Sequence, residues 1–246
     1  MRYLKQLFGF SLLLFLLVNC TKNSETFADQ VQNGIEDEID DDIQPKDFKI
    51  LSLGDSYTIG QSVCETCRFP EQLKDSLIPK FNSEDRFEVQ VIATTGWTTT
   101  NLLSALAAQP PSNDYSLVTL LIGVNNQFQG KPFELYETEF ITLVNKAISY
   151  AQYEKSRVIV ISIPDYGFTP FGQNNQPTIT AQLNQYNQYA QNFCEANDIT
   201  YVYITDITQQ GLENPALVAS DNLHPSELAY SKFVERILPF AIEILD

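Results

Sequence analysis

Ser56, Asp221 and His224 are residue types that together perform nucleophilic catalysis. A serine hydroxyl attacks poorly unless a base takes its proton, and a histidine suits that task near neutral pH. A carboxylate beside the imidazole orients it and stabilises its charged form. His224 is the only histidine among 246 residues, and Asp221 precedes it by three. Ser56 directly follows Gly54-Asp55 at the end of the apolar run 48–53. β-branching and alternation predict a strand there, and Gly54 allows a tight turn past its end. A serine at that place lies on the carboxyl edge of a sheet, where open α/β folds bind ligands. Taken alone, the same residues equally make an ordinary strand-to-helix turn with Ser56 as an N-cap.

Two glycine- and asparagine-bearing turns follow similar strands. Residues 87–93 predict a second strand, followed by Thr94-Thr95-Gly96-Trp97 and a helix to about residue 108. Gly96 is placed either to aim a backbone amide at an anion or simply to turn the chain. Residues 115–122 form an apolar run, as a central parallel strand should, and end in Gly123-Val124-Asn125-Asn126. Asn125 either donates its amide into a site or stabilises a turn.

The elements that must position these residues alternate regularly. Helices are predicted over 69–81, 132–153, 178–197 and 226–237, the last with Pro225 in its first turn. Further strands are predicted over 157–163 and 200–204, and residues 206–220 read as irregular. About five βα units in one run predict a three-layer α/β/α domain with a mostly parallel, flavodoxin-like sheet over residues 48–246. The loop 164–172 carries aromatics that either line a cleft or cover the sheet end.

The amino-terminal part is different in kind. Arg2 and Lys5 precede an apolar stretch from Leu7 to Val18, too short for a comfortable membrane span. It ends in Asn19-Cys20, so residues 1–19 resemble a bacterial lipoprotein signal whose cysteine, Cys20, is lipidated. A plain secretory signal or a short anchor are the other readings, and all three export the domain. Residues 20–47 read as an acidic flexible tether, with nine carboxylates against Lys46 alone between Glu25 and Asp47. The net charge of −16 excludes a nucleic-acid partner. Cys64 and Cys67 form a C-x-x-C, which in an exported chain predicts a small structural disulfide. Cys194 lies on the apolar face of a helix and is expected to be a buried thiol.

With these blocks in hand, the chain resembles the SGNH hydrolases, or GDSL esterases. Gly54-Asp55-Ser56, Gly96, Gly123-Val124-Asn125 and Asp221-Asn222-Leu223-His224 match that family's four blocks in order. Each block alone is weak, and together they span the whole domain. The α/β-hydrolases share the order serine, aspartate, histidine, but their G-x-S-x-G elbow is missing here. The resemblance implies Ser56 as nucleophile, His224 as base and Asp221 as its orienting acid. It implies an oxyanion hole of the Ser56 and Gly96 amides and the Asn125 side chain. It implies no cofactor and no metal. Tyr57 and Asn126 depart from the family's leucine and aspartate, and the second departure bears on loop geometry.

The implied activity is ester hydrolysis in the bacterial cell envelope, on a small-molecule, glycan or lipid ester such as an acetylated carbohydrate or a lysophospholipid. The membrane is a partner through the lipidated Cys20. Two other classes compete. One is a catalytically silent module that binds carbohydrate or protein on the same fold. The other is a thiol oxidoreductase working through Cys64 and Cys67, which would need a low-pKa thiolate at a helix start.

Overall fold

The computed structural model of the protein describes residues 44–246. The signal segment, Cys20 and almost all of the acidic tether lie outside the described residues. Five strands form one sheet: β1 (Asp47–Gly54), β2 (Arg86–Ala93), β3 (Leu117–Leu121), β4 (Val158–Ile161) and β5 (Thr200–Val202). Their order is β2-β1-β3-β4-β5, and every pairing is parallel. The central strands β3 and β4 are buried along their whole length, which is why they read as unbroken apolar runs. The edge strand β2 alternates between half-buried and exposed positions before its last turn-ward residues.

The main helices are α2 (Phe69–Leu77), α3 (Thr99–Ala108), α5 (Phe133–Tyr150), α6 (Gln176–Ala196) and α8 (Glu227–Leu245). Short helices α1 (Ser56–Ile59), α4 (Val124–Phe128) and α7 (Thr205–Thr208) sit in the loops. Helix α2 packs against α8, and α5 packs against both α3 and α6. The expected three-layer α/β/α architecture is therefore present, with all five strands parallel. Cys194 is fully buried in α6, and burial pushes its thiol up to about 12.

Several boundaries differ from the sequence reading, each for a local reason. The domain already begins pairing at Asp47, opposite Arg86, one residue before the expected start. Helix α2 stops at Leu77 because Pro79 lacks an amide hydrogen, and Ile78–Lys80 continues as a 3₁₀ turn. Pro225 lies outside the last helix and makes a bridge with Val218; Ser226 is the N-cap, accepting from the Ala229 amide at 3.2 Å. That helix then runs to Leu245 through Pro239. Pro239 and Glu235, four residues earlier, are both exposed, so water reaches the carbonyl left without its partner. Ala241 and Leu245 beyond it are buried, and their burial sustains the last turns.

Candidate active site

Strand register brings three loops to one place. Gly54 at the end of β1 is level with Ala93 of β2 and Leu121 of β3. The chain therefore leaves the sheet side by side at Asp55-Ser56, Thr94–Gly96 and Ile122–Asn125. The crossover from β1 runs to β2 on one side, and the next, from β2, passes back beyond β1 to β3 on the other. That is the topological switch point at which open α/β sheets place ligands.

Ser56 opens α1 and is almost fully buried. The turn before it needs glycine for space. A Cβ on Gly54 would lie 2.1 Å from Thr58 Oγ1 and 2.4 Å from the Leu121 carbonyl oxygen. Asp55 caps α1, accepting from the Tyr57 amide at 3.0 Å and from the Gly123 amide. Its other carboxyl oxygen, Oδ2, is buried with no hydrogen-bond partner among the described residues. Burial, against those two amides, pushes the Asp55 carboxyl up to about 7.

Gly96 has φ +85, and the Trp97 amide donates to the Thr94 carbonyl at 3.2 Å. This is a turn whose third residue must take positive φ, so glycine is required there. Nothing lies within 4 Å of where a Gly96 Cβ would be, so the turn faces open space. Asn125, in α4, donates its side-chain Nδ2 to the Trp97 carbonyl at 3.0 Å. That amide nitrogen carries two hydrogens, so one fixes its plane and one is left over. The adjacent Asn126 is fully buried and clamps the start of α3. Its Oδ1 accepts from the Thr99 amide at 2.9 Å, and its Nδ2 donates to Thr99 Oγ1 at 2.6 Å. Thr99 Oγ1 in turn donates to Glu139. Asn126 thus supports the loop, the task suggested by its position after Asn125.

Asp221 and His224 share one tight loop. The Ala219 amide donates to the His224 carbonyl at 2.7 Å, and the Asn222 amide to the Ala219 carbonyl at 3.0 Å. Asp221 Oδ1 accepts the Leu223 and His224 amides, both at 3.0 Å. Asp221 Oδ2 meets His224 Nδ1 at 2.6 Å and accepts from Ser62 Oγ at 2.7 Å. Burial opposes ionisation of Asp221. The hydrogen bonds from Ser62, from the His224 amide and ring, and from the Leu223 amide outweigh it and hold the carboxyl well below the usual range. With Nδ1 committed to Asp221, His224 keeps Nε2 for another partner.

The sequence reading brought Ser56, Asp221 and His224 together, and the structure joins the last two directly. Ser56 is reached through its neighbour: the Tyr57 and His224 rings meet edge-on, with centroids 5.8 Å apart. Among the described residues, no hydrogen bond links Ser56 Oγ to His224. Ser62 was missed, because its partner lies 159 residues away and no local pattern reports it; Asn126 was singled out as bearing on loop geometry, but not its partner Thr99, 27 residues away. A cavity of about 10 Å³ beside His224, lined also by Tyr57 and Asp165, has room for one water and not for an acyl chain. Of the loop aromatics, Tyr166 is buried and donates to Gln127 Oε1 at 2.9 Å. Phe171 is exposed beside Phe128 of α4, with ring centroids 6.2 Å apart. The aromatics therefore both cover the sheet end and, with Phe128 at the end of α4, form an exposed apolar cluster. Cys64 and Cys67 are joined in the expected disulfide.

Fold and site define a class: a parallel α/β/α protein with a serine at the end of its first strand and an aspartate–histidine pair in its last loop. The chain belongs to the GDSL-like Lipase/Acylhydrolase family, whose model matches residues 52–232, and it is a carboxylic ester hydrolase. Solved structures of the same fold include the lipase/acylhydrolase from Enterococcus faecalis. It is 17% identical, with 81% of this chain and 97% of that one covered and a TM-score of 0.64. Axe2, an acetylxylan esterase from Geobacillus stearothermophilus, is 19% identical over 80% of this chain and 95% of that one, with a TM-score of 0.61. The esterase EstA from Pseudoalteromonas sp. is 18% identical over 80% and 98%, with a TM-score of 0.54. No curated protein sequence matches the chain.

Proposed function

We propose that the protein cleaves esters through Ser56, His224 and Asp221, in the cell envelope, as a lipid-anchored enzyme. The observation that carries the roles is the Asp221–His224 pair at 2.6 Å, packed against the residue that follows Ser56. Ser56 Oγ bonds to the carbonyl carbon while its proton passes to His224 Nε2. The imidazolium, held by Asp221, gives that proton to the leaving alcohol as the carbon–oxygen bond breaks. Water repeats the sequence on the acyl-serine and releases the acid. The oxygen charge formed at each addition is met by the Ser56 and Gly96 amides and the free Asn125 Nδ2 hydrogen.

The substrate is a carboxylic ester such as an acetylated carbohydrate or a lysophospholipid. The exposed Phe128 and Phe171 cluster suits the face of a sugar or an acyl chain. One relative in fold is an acetylxylan esterase, which supports including acetylated glycans among the candidates. The test is a panel of esters from acetyl to long acyl, acetylated glycans included, run with wild type and Ser56→Ala. Turnover of at least one ester by wild type alone is expected; no turnover of any would overturn the reading.

Asn125→Ala is expected to lower kcat by roughly 10²–10³ with little change in KM, because the donor acts on charge present only in the transition state. An effect confined to KM would leave Asn125 as a substrate-positioning group. Cys20 is proposed to carry the lipid, with residues 1–19 removed and residues up to 47 forming the tether. Cys20→Ser should move the protein from the membrane fraction to the soluble one, and retention in membranes would refute the anchor.

A further inference from the structure

The loop between α1 and α2 touches Ser56, the Thr95-Gly96 turn and Asp221 within three consecutive residues. The Gly60 and Gln61 amides donate to the Ser56 carbonyl at 3.1 and 3.0 Å. Gln61 Oε1 accepts from Thr95 Oγ1 at 2.6 Å, next to Gly96. Ser62 Oγ donates to Asp221 Oδ2 at 2.7 Å. Ser62 holds φ +69, a region few non-glycine residues occupy, so its neighbours must enforce the conformation.

Those neighbours are visible. The Val63 amide donates to the Gly60 carbonyl at 3.2 Å, closing the turn around Ser62. The Cys64–Cys67 disulfide staples the next four residues. The buried Arg68 behind it pairs with Glu65 at 3.1 Å and Glu71 at 2.9 Å. The Gln72 side chain donates from Nε2 to the Cys67 carbonyl at 2.5 Å and to the Glu227 carbonyl, at the start of α8, at 3.2 Å. The stapled turn is thereby tied to the helix that follows the Asp221–His224 loop.

We propose that Ser62 is a positioning residue for Asp221, held in register by the Cys64–Cys67 turn; this rests on the reading of Ser56, His224 and Asp221 given above. Asp221 has two backbone amides on Oδ1, and on Oδ2 the His224 ring and Ser62. With four partners the carboxylate cannot rotate about its Cβ–Cγ bond. Without Ser62, Oδ1 keeps its two amides but Oδ2 has His224 alone, and the partly exposed carboxylate can tilt Oδ2 toward water. The imidazole then loses its fixed orientation during proton transfer. Opening the disulfide with a dithiol reductant, which leaves two thiols here and oxidises the reductant to its own disulfide, acts on the same contact.

The deciding variants are Ser62→Ala and Ser62→Gly. Both remove the hydroxyl, but glycine also relieves the positive φ. Each is expected to lower kcat roughly tenfold with KM unchanged, as loss of a hydrogen bond to a charged group implies. In an Asp221→Ala background, Ser62→Gly should change the residual rate no further. The double variant Cys64→Ser/Cys67→Ser, and wild type reduced with dithiothreitol, should lose no more than this factor and nothing beyond it when Ser62 is already glycine. Full kcat in Ser62→Gly, or a loss that adds to that of Asp221→Ala, overturns the proposal. If Ser56→Ala retains turnover, the underlying reading has failed instead; if it is dead and Ser62→Gly is fully active, only the role of Ser62 has failed.

Discussion

Ser56→Ala is expected to lower kcat on a responsive ester by about 10⁴–10⁶-fold while leaving the domain folded. The chemical loss is total for the covalent route, since no acyl-serine can form. What survives is the rate that the oxyanion donors and binding supply on their own. The structural loss is small. The substitution removes one oxygen from a buried side chain whose hydroxyl makes no hydrogen bond among the described residues. His224→Ala should cost about as much, and the double variant little more than either, because nucleophile and base act as one unit. The measurement is hydrolysis of a p-nitrophenyl ester by protein free of contaminating esterase, with unfolding followed in parallel. Turnover of Ser56→Ala within tenfold of wild type would remove Ser56 from the chemistry. Independent, multiplying losses for Ser56 and His224 would mean that they do not share a proton.

The residues behind that expectation were legible because their signals are local. Gly54-Asp55-Ser56 ends a strand buried on both faces, and its apolar run is unmistakable. Asp221 and His224 fall within one turn, so their contact needs no knowledge of the fold. Strands β3 and β4 could be read for the same reason as β1. The missed features depend on what the fold brings from a distance. Ser62 looks like any loop serine until the sheet brings residue 221 beside it. Asn126 was expected to bear on loop geometry, but the bonds to Thr99 by which it does so come from the fold. Proline misled in both directions: Pro79 ended a helix that the apolar pattern continued, and Pro239 did not end one. The difference is tertiary, since the apolar residues after Pro239 have a core to enter.

Asp55 predicts an unusual pH dependence of stability. Its carboxyl stands at about 7 in the folded protein, against an ordinary value of 3.8. Burial is the cause, opposed in part by the amides of Tyr57 and Gly123. Between those two values the unfolded chain has released the proton and the native state still holds it. Native binding of the extra proton makes stability fall as pH rises from about 4 to about 7, and the contribution is flat outside that window. About three pH units at 1.36 kcal/mol each set an upper size of roughly 4 kcal/mol. Asp221 has the opposite sign. Its carboxyl is held below the ordinary range, so its contribution is lost only as pH falls below about 4, outside this window. Asp55→Asn removes the ionisation and keeps an oxygen to accept from the Tyr57 and Gly123 amides. Urea unfolding of both proteins from pH 4.5 to 8 is the measurement. The stability of the variant relative to wild type should rise by about 3 kcal/mol between pH 4.5 and about 7 and level off above it. A difference that stays constant with pH would mean that Asp55 ionises normally. The predicted slope would instead show that the residue beside Ser56 still holds much of its proton near neutral pH, and that its surroundings resist its ionisation. The cost of ionising it falls on the turn that presents Ser56, where Gly54 already has no room for a side chain.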